Sequence, residues 1–264
     1  MAECILVCKS AGASVRRMRL VAGQALGEAL HLKLGWLLVA VGAALVLMAR
    51  WLRDFNFGAM ELKFLADFGL GAIGLLGTLL AALVTAQLFF NDLERGMPAC
   101  VLTRPIRRWE YMGGKLAGVM AALALYVGAL MFVLAVVIAV RERELGATYL
   151  SLRVILQMGA LAWLKFTLVA AMTLLVCSYA GSALFASSAG LLLAIAGHLR
   201  SFTEASGQFA LLRAWPNLAK FDAEPWLAGA GVGGGALLAL IGYWALFLGL
   251  LAGLAAYVFE HREF

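Results

Sequence analysis

The chain has few residues that could do chemistry, and their spacing fits no catalytic or metal-binding arrangement. The four cysteines form no CxxC pair, and no histidine stands at a ligand spacing near any of them; they are Cys4, Cys8, Cys100 and Cys177. No cluster of His, Asp, Glu or Cys has the pattern of an active site. We therefore predict no catalytic residue, no metal site and no cofactor site in this chain.

The densest group of charged side chains lies in the 25-residue segment Asn91–Lys115, between two long apolar runs. Its short apolar stretch Ala99–Leu102 is broken by Pro105 and followed by Arg107 and Arg108. Connections of this length usually carry a function. The pattern suits a short helix that docks into a partner's groove with basic residues on its rim. From composition alone, a solvated loop whose arginines bind lipid headgroups is an equally good interpretation.

Two more titratable residues lie within apolar runs. Lys165 is the one fixed charge in a run of 46 residues, and an ionisable residue inside a membrane is a candidate for function. If a surface helix over Thr148–Met158 precedes a span that begins near Leu161, Lys165 can instead snorkel to the interface, and we favour this interpretation. We interpret His198 as a hydrogen-bonded or interfacial side chain, since haem in a bundle commonly needs paired axial ligands.

The composition places these residues in a membrane protein. Hydrophobic residues make up 64% of the 264 residues and charged residues 14%, against about 45–50% and about 25% in soluble domains. These values exclude a soluble globular domain, a disordered chain, collagen and a coiled coil. The net charge of +6 comes from basic residues beside apolar runs, which favours anionic headgroups over nucleic acid as the partner.

Apolar runs predict six membrane-spanning helices, because a hydrocarbon core of about 30 Å needs about 20 helical residues. In chain order they are Leu34–Ala49, Phe68–Asn91, Leu116–Val140, two spans within Val154–Leu199 joined by a turn at Ser178–Ser182, and Ala236–Val258. Upstream, Arg17–Lys33 has helical periodicity with polar residues on one face, which predicts a helix lying in the membrane interface. The alternative is that this stretch simply lengthens the first span.

The loops give further expectations. With the N-terminus inside, cytoplasmic segments hold 11 Lys and Arg and outside loops nine, which favours that orientation by a small margin. Gly229, Gly231 and Gly233–Gly235 are interpreted either as a flexible or re-entrant approach to the last span or as sites of close helix contact. The outside segment Arg200–Trp226 could bind a periplasmic partner or form short re-entrant helices.

Several of these residues together resemble the ABC-2 type permeases of ABC transporters, most closely the branch with nitrous-oxide-reductase maturation and gliding-motility permeases. The similar pieces are Asp67-Phe-Gly-Leu70, then Asp92, Glu94, Arg95 and Gly96, then Leu102-Thr-Arg-Pro-Ile-Arg-Arg108, then Tyr111 and Gly114-Lys115-Leu-Ala-Gly118, and later Ser178–Ser187, Gly197-His198 and Pro216–Asp222. The resemblance covers residue 17 to the C-terminus. Met97 departs from it, because the family usually has threonine after the glycine.

The resemblance implies an all-α, polytopic membrane protein with six transmembrane helices, an N-terminal interfacial helix and a cytoplasmic coupling helix between helices 2 and 3. Residues 17–264 would form a single ABC-2 type transmembrane domain, preceded by an N-terminal extension over residues 1–16. The region that couples to the ATPase would comprise Glu94, Arg95, Leu102, Arg104, Pro105, Arg107, Arg108, Trp109 and Glu110. Lys115, just after it, is interpreted as an anchor that snorkels to the headgroups.

The function implied is that of a permease subunit in the bacterial cytoplasmic (inner) membrane, with both termini cytoplasmic, that couples ATP hydrolysis to export of a substrate the sequence does not identify. Its partners would be two ATPase subunits, which bind ATP and Mg, a second permease chain in a homodimer or heterodimer, and the lipid bilayer, but no nucleic acid. The alternative is a subunit that transmits mechanical work to a periplasmic protein without moving a solute.

The sequence independently assigns ATP chemistry to another chain. A P-loop needs the pattern GxxxxGK[ST]. Gly114-Lys115 is followed by Leu116, and Trp109 stands where the first glycine of the motif belongs. A third function, a membrane enzyme or redox subunit, is disfavoured because no side-chain cluster meets the geometry of catalysis or metal binding.

Overall fold

The computed structural model describes residues 2–48, 61–94, 108–145, 151–206, 215–222 and 231–261. Within these stretches the chain forms seven α-helices and no β-strand: α1 (Ala2–His31), α2 (Lys33–Met48), α3 (Glu61–Glu94), α4 (Arg108–Leu145), α5 (Leu152–Cys177), α6 (Ala183–Ser206) and α7 (Gly234–Glu260). A short 3-10 helix, Leu218–Phe221, lies between α6 and α7. The expectation of an all-α fold is confirmed.

The helices are those of a multi-pass membrane protein. In the described part of the chain, five helices, α3 to α7, are long and apolar enough to cross a membrane, and α1 and α2 would add a sixth crossing if the bent pair counts as one. The outward faces are apolar, with Phe132 70%, Leu184 82% and Leu238 70% exposed. A helix in water buries such side chains, so lipid is the solvent that fits this surface.

Helices α3 and α4 contain the apolar runs Phe68–Asn91 and Leu116–Val140 and extend beyond them into charged residues. The turn predicted at Ser178–Ser182 is confirmed between α5 and α6. The separate surface helix predicted before Leu161 is wrong. The chain is one continuous helix from Leu152 to Cys177, started by Ser151, whose side chain accepts a hydrogen bond from the Val154 backbone N–H at 3.4 Å. With no proline in these residues, nothing interrupts the helical hydrogen bonds.

Helix α5 forms the centre of the bundle and packs against α3, α4, α6 and α7. Two glycines on its neighbours allow close approach. A Cβ at Gly77 of α3 would overlap the Phe166 ring, and a Cβ at Gly190 of α6 would overlap Thr173. Without a hydrophobic driving force in lipid, such small residues give helices the van der Waals contact that holds them together.

A second glycine seam joins α1 to α4. A Cβ at Gly114 would lie 2.8 Å from Val21 Cβ, and a Cβ at Gly118 would lie 2.6 Å from the Ala22 carbonyl oxygen. Further along, the Tyr126 hydroxyl donates to the Ala29 carbonyl oxygen at 2.9 Å. Later residues of α1 therefore contact later residues of α4, which means that α1 runs parallel to α4 and close to its backbone.

Between α1 and α2 the chain bends by 60° at Leu32. The stretch Arg17–Lys33 is thus helical, as expected, but it does not simply lengthen the first span. Helix α1 starts at Ala2 and passes through residues 16 and 17 without a break. The position of α1 relative to the membrane interface stays a prediction. The structure shows that α1 packs side by side with α4.

The approach to α7 is fixed by one side chain. Gln157 of α5 donates from Nε2 to the Val232 carbonyl oxygen at 3.2 Å and accepts from the Val232 N–H at 3.1 Å. Gly231, just before it, has φ +90°, which L side chains rarely adopt. Gly233, Gly234 and Gly235 have open space beside them, so they make no close helix contact within the described chain, and Gly229 lies outside the described residues.

The bundle has two ends with different residues. At the α3–α4 end, α3 finishes and α4 begins, the Phe259 ring of α7 stacks on Tyr111 with centroids 6.1 Å apart, and Ser14 of α1 contacts Glu110. Asp67 near the start of α3 and Asp92 near its finish are 25 residues apart, or about 37 Å at the helical rise. We call the end near Asp67 the cavity end.

Candidate functional site

The predicted coupling region is described only at its flanks. Glu94 is the last residue of α3, and Arg108 is the first residue of α4. Trp109 is 46% exposed. The other predicted members, Arg95, Leu102, Arg104, Pro105 and Arg107, lie outside the described residues, so the coupling helix stays a prediction.

Glu110 turns inward rather than toward a partner. Its side chain is 2% exposed, and its Oε1 accepts hydrogen bonds from Ser14 Oγ at 2.6 Å and from Arg17 at 3.0 Å. The carboxylate also lies in the first turn of α4, where the helix dipole favours negative charge. Glu110 therefore joins the start of α4 to α1.

Directly beneath lies a buried charged cluster, formed by Glu28, Asp92, Tyr111 and Lys115. Oδ2 of Asp92 accepts from the Tyr111 hydroxyl at 2.5 Å and from Lys115 Nζ at 2.6 Å. Lys115 Nζ also lies 3.5 Å from Glu28 Oε2. The side chains of Lys115 and Asp92 are 3% and 4% exposed, so the cluster ties α1, α3 and α4 together in the interior.

Helical spacing accounts for the cluster. Tyr111 and Lys115 are four residues apart, so they share one face of α4, and that face meets the final turn of α3. The interpretation of Lys115 as a headgroup anchor is wrong, because its ammonium group is enclosed by carboxylates. Three members of the cluster, Asp92, Tyr111 and Lys115, are among the residues similar to ABC-2 permeases. For Glu28 the sequence pattern predicted only a position on the polar face of an interfacial helix.

A small cavity adjoins this cluster. It has a volume of about 330 Å³ and is lined by Glu28, His31, Leu32 and Asn91. Oδ1 of Asp92 is buried and accepts no hydrogen bond within the described part of the chain. A buried carboxylate oxygen without a donor is costly, so the cluster retains capacity for one more donor.

Near the middle of α5, Lys165 forms a second ion pair. Its Nζ donates to Asp222 Oδ1 at 2.5 Å, and the two side chains are 9% and 37% exposed. His198 Nε2 lies 3.8 Å from the same oxygen. Sequence reasoning singled out Lys165 and His198 separately and did not name Asp222 as a partner, because 57 residues separate Lys165 from it.

These side chains line the larger cavity, of about 400 Å³, which opens between α3, α5, α6 and residues 221–222. Asp67 and Thr78 of α3 contribute polar groups, and much of the remaining wall is apolar, including Ile73, Phe166 and Phe221. A cavity of this size with few polar groups is typical of a small-molecule site.

Phe221 and Asp222, between α6 and α7, line one side of this cavity, and packing holds residues 215–222 in place. Leu218 and Phe221 are buried, and a Cβ at Gly197 would lie 3.0 Å from Leu218 Cδ1. The Asn217 N–H donates to the Tyr243 hydroxyl at 2.7 Å. Of the segment Arg200–Trp226, residues 200–206 belong to α6, and Leu218–Phe221 form the short 3-10 helix, which packs against the bundle.

Within the described ranges, no group of three or more His, Cys, Asp and Glu side chains is arranged to hold a metal ion. The described residues offer a buried ion pair at the α3–α4 end, a partly exposed ion pair near the middle of α5, and a cavity of about 400 Å³ beside the second pair. Such groups can bind and orient a ligand and can join helices that move together.

The sequence was compared with family models and with curated proteins, and no family model and no curated protein matches it. The similarity to ABC-2 permeases thus rests on the residues quoted above.

Proposed function

We propose that this chain is the permease subunit of an ABC transporter, with six transmembrane crossings, both termini in the cytoplasm and a coupling helix within residues 95–107. Two separate ATPase subunits would bind ATP and Mg and would hold this coupling segment, and a second permease chain would complete the transmembrane unit. The chain itself would carry force and no catalytic chemistry, in a bacterial inner membrane.

The observation that carries the proposal is the buried charged cluster next to the coupling segment. Asp92 stands three residues before residue 95, and Lys115 eight residues after residue 107. Their 2.6 Å contact closes the base of the segment, and Glu110 and Glu28 tie that base to α1. A segment that receives a force from the ATPase must be firmly attached to the helices, because otherwise the force would only bend the chain locally.

The proposed motion of the helices requires that the ATPases contact the coupling segment differently in two states. An ATPase pair that grips the coupling segment differently when ATP is bound shifts the balance between two arrangements of the bundle. Helices α1, α3 and α4 would then move together at the α3–α4 end, since the cluster joins all three. Close glycine contacts around α5 would carry the displacement toward the cavity end as a rigid-body shift.

Of the two versions of the function, the cavity of about 400 Å³ favours the one with a small-molecule ligand. A subunit that only transmits mechanical work to a periplasmic protein needs no such space. Export of a substrate is therefore the version that we adopt.

The test is a charge reversal in the coupling segment, Arg107→Glu with Arg108→Glu. The tagged chain is purified from its native membranes, P-loop ATPases are identified by mass spectrometry, and ATP hydrolysis by the purified complex is measured. We expect recovery of the ATPase and ATP turnover to fall about tenfold or more, because reversed rim charges repel the partner.

Arg153→Glu is the matched control, because Arg153 is exposed at the opposite side of the chain's helices, at the start of α5. It should leave both readouts unchanged. Equal recovery and equal ATP turnover in the reversed variant and the control would contradict the proposal, as would absence of any P-loop ATPase from the wild-type preparation.

A further inference from the structure

The cavity at the cavity end holds more hydrogen-bond acceptors than donors. Lys165 is its one ammonium group among the described lining residues, and Asp222 already lies 2.5 Å from it. Asp67 lines the same cavity, and its Oδ1 is buried without a donor among the described residues. The formal charge of these three groups is −1, from one ammonium and two carboxylates.

His198 adds to the acceptors in its neutral form. Its Nδ1 lies 3.0 Å from the Ala194 carbonyl oxygen. A carbonyl oxygen only accepts, so Nδ1 carries the proton and neutral imidazole turns the lone pair of Nε2 toward Asp222. The Thr78 hydroxyl donates to the Leu75 carbonyl oxygen at 2.7 Å, so it too faces a ligand as an acceptor.

The walls of the cavity indicate the chemistry of the rest of the ligand. Ile73, Phe166 and Phe221 give apolar and aromatic surface beside the carboxylates. A hydrated metal ion gains nothing from such walls, and an anion meets a net negative charge. A ligand with a cationic group and an apolar body fits both the carboxylates and the apolar walls. The aromatic rings in addition attract an ammonium group.

We propose that this cavity binds an organic amine, with its ammonium group at Asp67, whose Oδ1 lacks a donor in the described part of the chain, and its apolar body against Phe166 and Phe221. The site does not require the ATPase, because all of its groups belong to this one chain. Failure of the amine to bind and failure of the ATPase to co-purify are therefore separate results.

The experiment uses three probes of equal size and different charge on the purified full chain: 3-phenylpropylamine, 3-phenylpropanol and 3-phenylpropanoate. Binding is measured by calorimetry in detergent. We expect the amine to bind about tenfold more tightly than the alcohol, since hydrogen bonds to charged groups give discrimination of this order. Tighter binding of the carboxylate would overturn the proposal in favour of an anion site at Lys165, and equal binding of amine and alcohol would reduce the cavity to an apolar void.

An isosteric variant assigns the charge. Asp67→Asn should remove most of the preference for the amine over the alcohol and leave the alcohol affinity unchanged, which also shows that the cavity is intact. Glu260→Gln, at the far end of α7, is the control and should keep the preference. An unchanged preference in Asp67→Asn would contradict the proposal.

The amine could come from solution or from an aminolipid headgroup, and competition separates these sources. Displacement of the bound amine by lysophosphatidylethanolamine but not by lysophosphatidylglycerol assigns the headgroup as the source. Displacement by soluble amines alone assigns a soluble ligand. Equal displacement by both lysolipids would show that acyl chains fill the cavity, and the ammonium site would be rejected.

Discussion

Among the side chains that the structure describes, Lys115 and Lys165 are the enclosed lysines, and the ammonium group of each contacts an aspartate from another segment. Lys115 meets Asp92 of α3, and Lys165 meets Asp222 after the 3-10 helix. A charge that leaves water loses several kcal/mol of hydration, and only a close partner compensates for it. The two pairs therefore specify which segments lie together, and loss of one member should cost more than loss of both.

Asp92→Asn should lower the free energy of unfolding by about 3 kcal/mol, because the buried Lys115 ammonium loses its closest carboxylate and keeps only Glu28, at 3.5 Å. The double variant Asp92→Asn with Lys115→Met should be less destabilised than Asp92→Asn alone, since the buried ammonium is removed together with its closest partner. Unfolding in mixed detergent micelles measures both values, together with Lys115→Met alone, as a double-mutant cycle. Additive effects of the two substitutions would show that the residues are not coupled.

At the scale of the helices, the position of α1 depends on glycines of α4 rather than on the hydrophobicity of α1 itself. It lies on α4 where Gly113, Gly114 and Gly118 leave the backbone uncovered, and a Cβ at Gly118 would meet a carbonyl oxygen that belongs to backbone and cannot rotate away. The seam places Glu28 within reach of Lys115. Helix α1 is thus a partner of α4 at the α3–α4 end.

Gly118→Ala should displace α1 and lower the melting temperature by about 3–8 °C, the effect of overpacking by one methyl group. Gly128→Ala on the same helix is the control, because nothing lies within 4 Å of a Cβ there. The control should be neutral or slightly stabilising, since alanine favours helix. Thermal unfolding followed by tryptophan fluorescence compares the two, and equal melting temperatures would rule out the seam.

Sequence predicted the helices well and their partners poorly, for physical reasons. Lipid accepts only long apolar helices, so the turn at Ser178–Ser182 could be read along the chain. The pairing of Lys165 with Asp222 depends on how distant segments pack, and no local pattern encodes it. Gly114 and Gly118 have the spacing of a small-xxx-small contact, a signal that could have placed α1 against α4.

Across the whole molecule, the two ion pairs lie at different levels of the bundle, Lys115 with Asp92 at the α3–α4 end and Lys165 with Asp222 near the middle of α5. The α3–α4 end carries the charged cluster and the flanks of the coupling segment, and the cavity end carries the amine site that we propose. Helix α7 spans between them and buries only Leu251, Ala255 and Phe259, so most of its apolar surface stays available to lipid or to a second chain.

The proposed orientation places Glu94 inside the cell and Lys220 outside. We expect a cysteine at Lys220→Cys to react with a membrane-impermeant maleimide in intact cells, and a cysteine at Glu94→Cys to react only in inverted vesicles. Both positions are exposed, and the four native cysteines are first replaced. Labelling of both positions from the same side would contradict six crossings, and the reversed pattern would place the coupling segment outside the cell.

The cluster also constrains how the protein is made. Asp92 leaves the ribosome 23 residues before Lys115, which is about one to five seconds at ordinary rates of synthesis. During this interval the carboxylate has no ammonium partner and stays hydrated, so the end of α3 cannot settle among its neighbours. Helices α3 and α4 should therefore leave the insertion machinery as a pair, and a stalled chain that stops before Lys115 should be a target for membrane proteases.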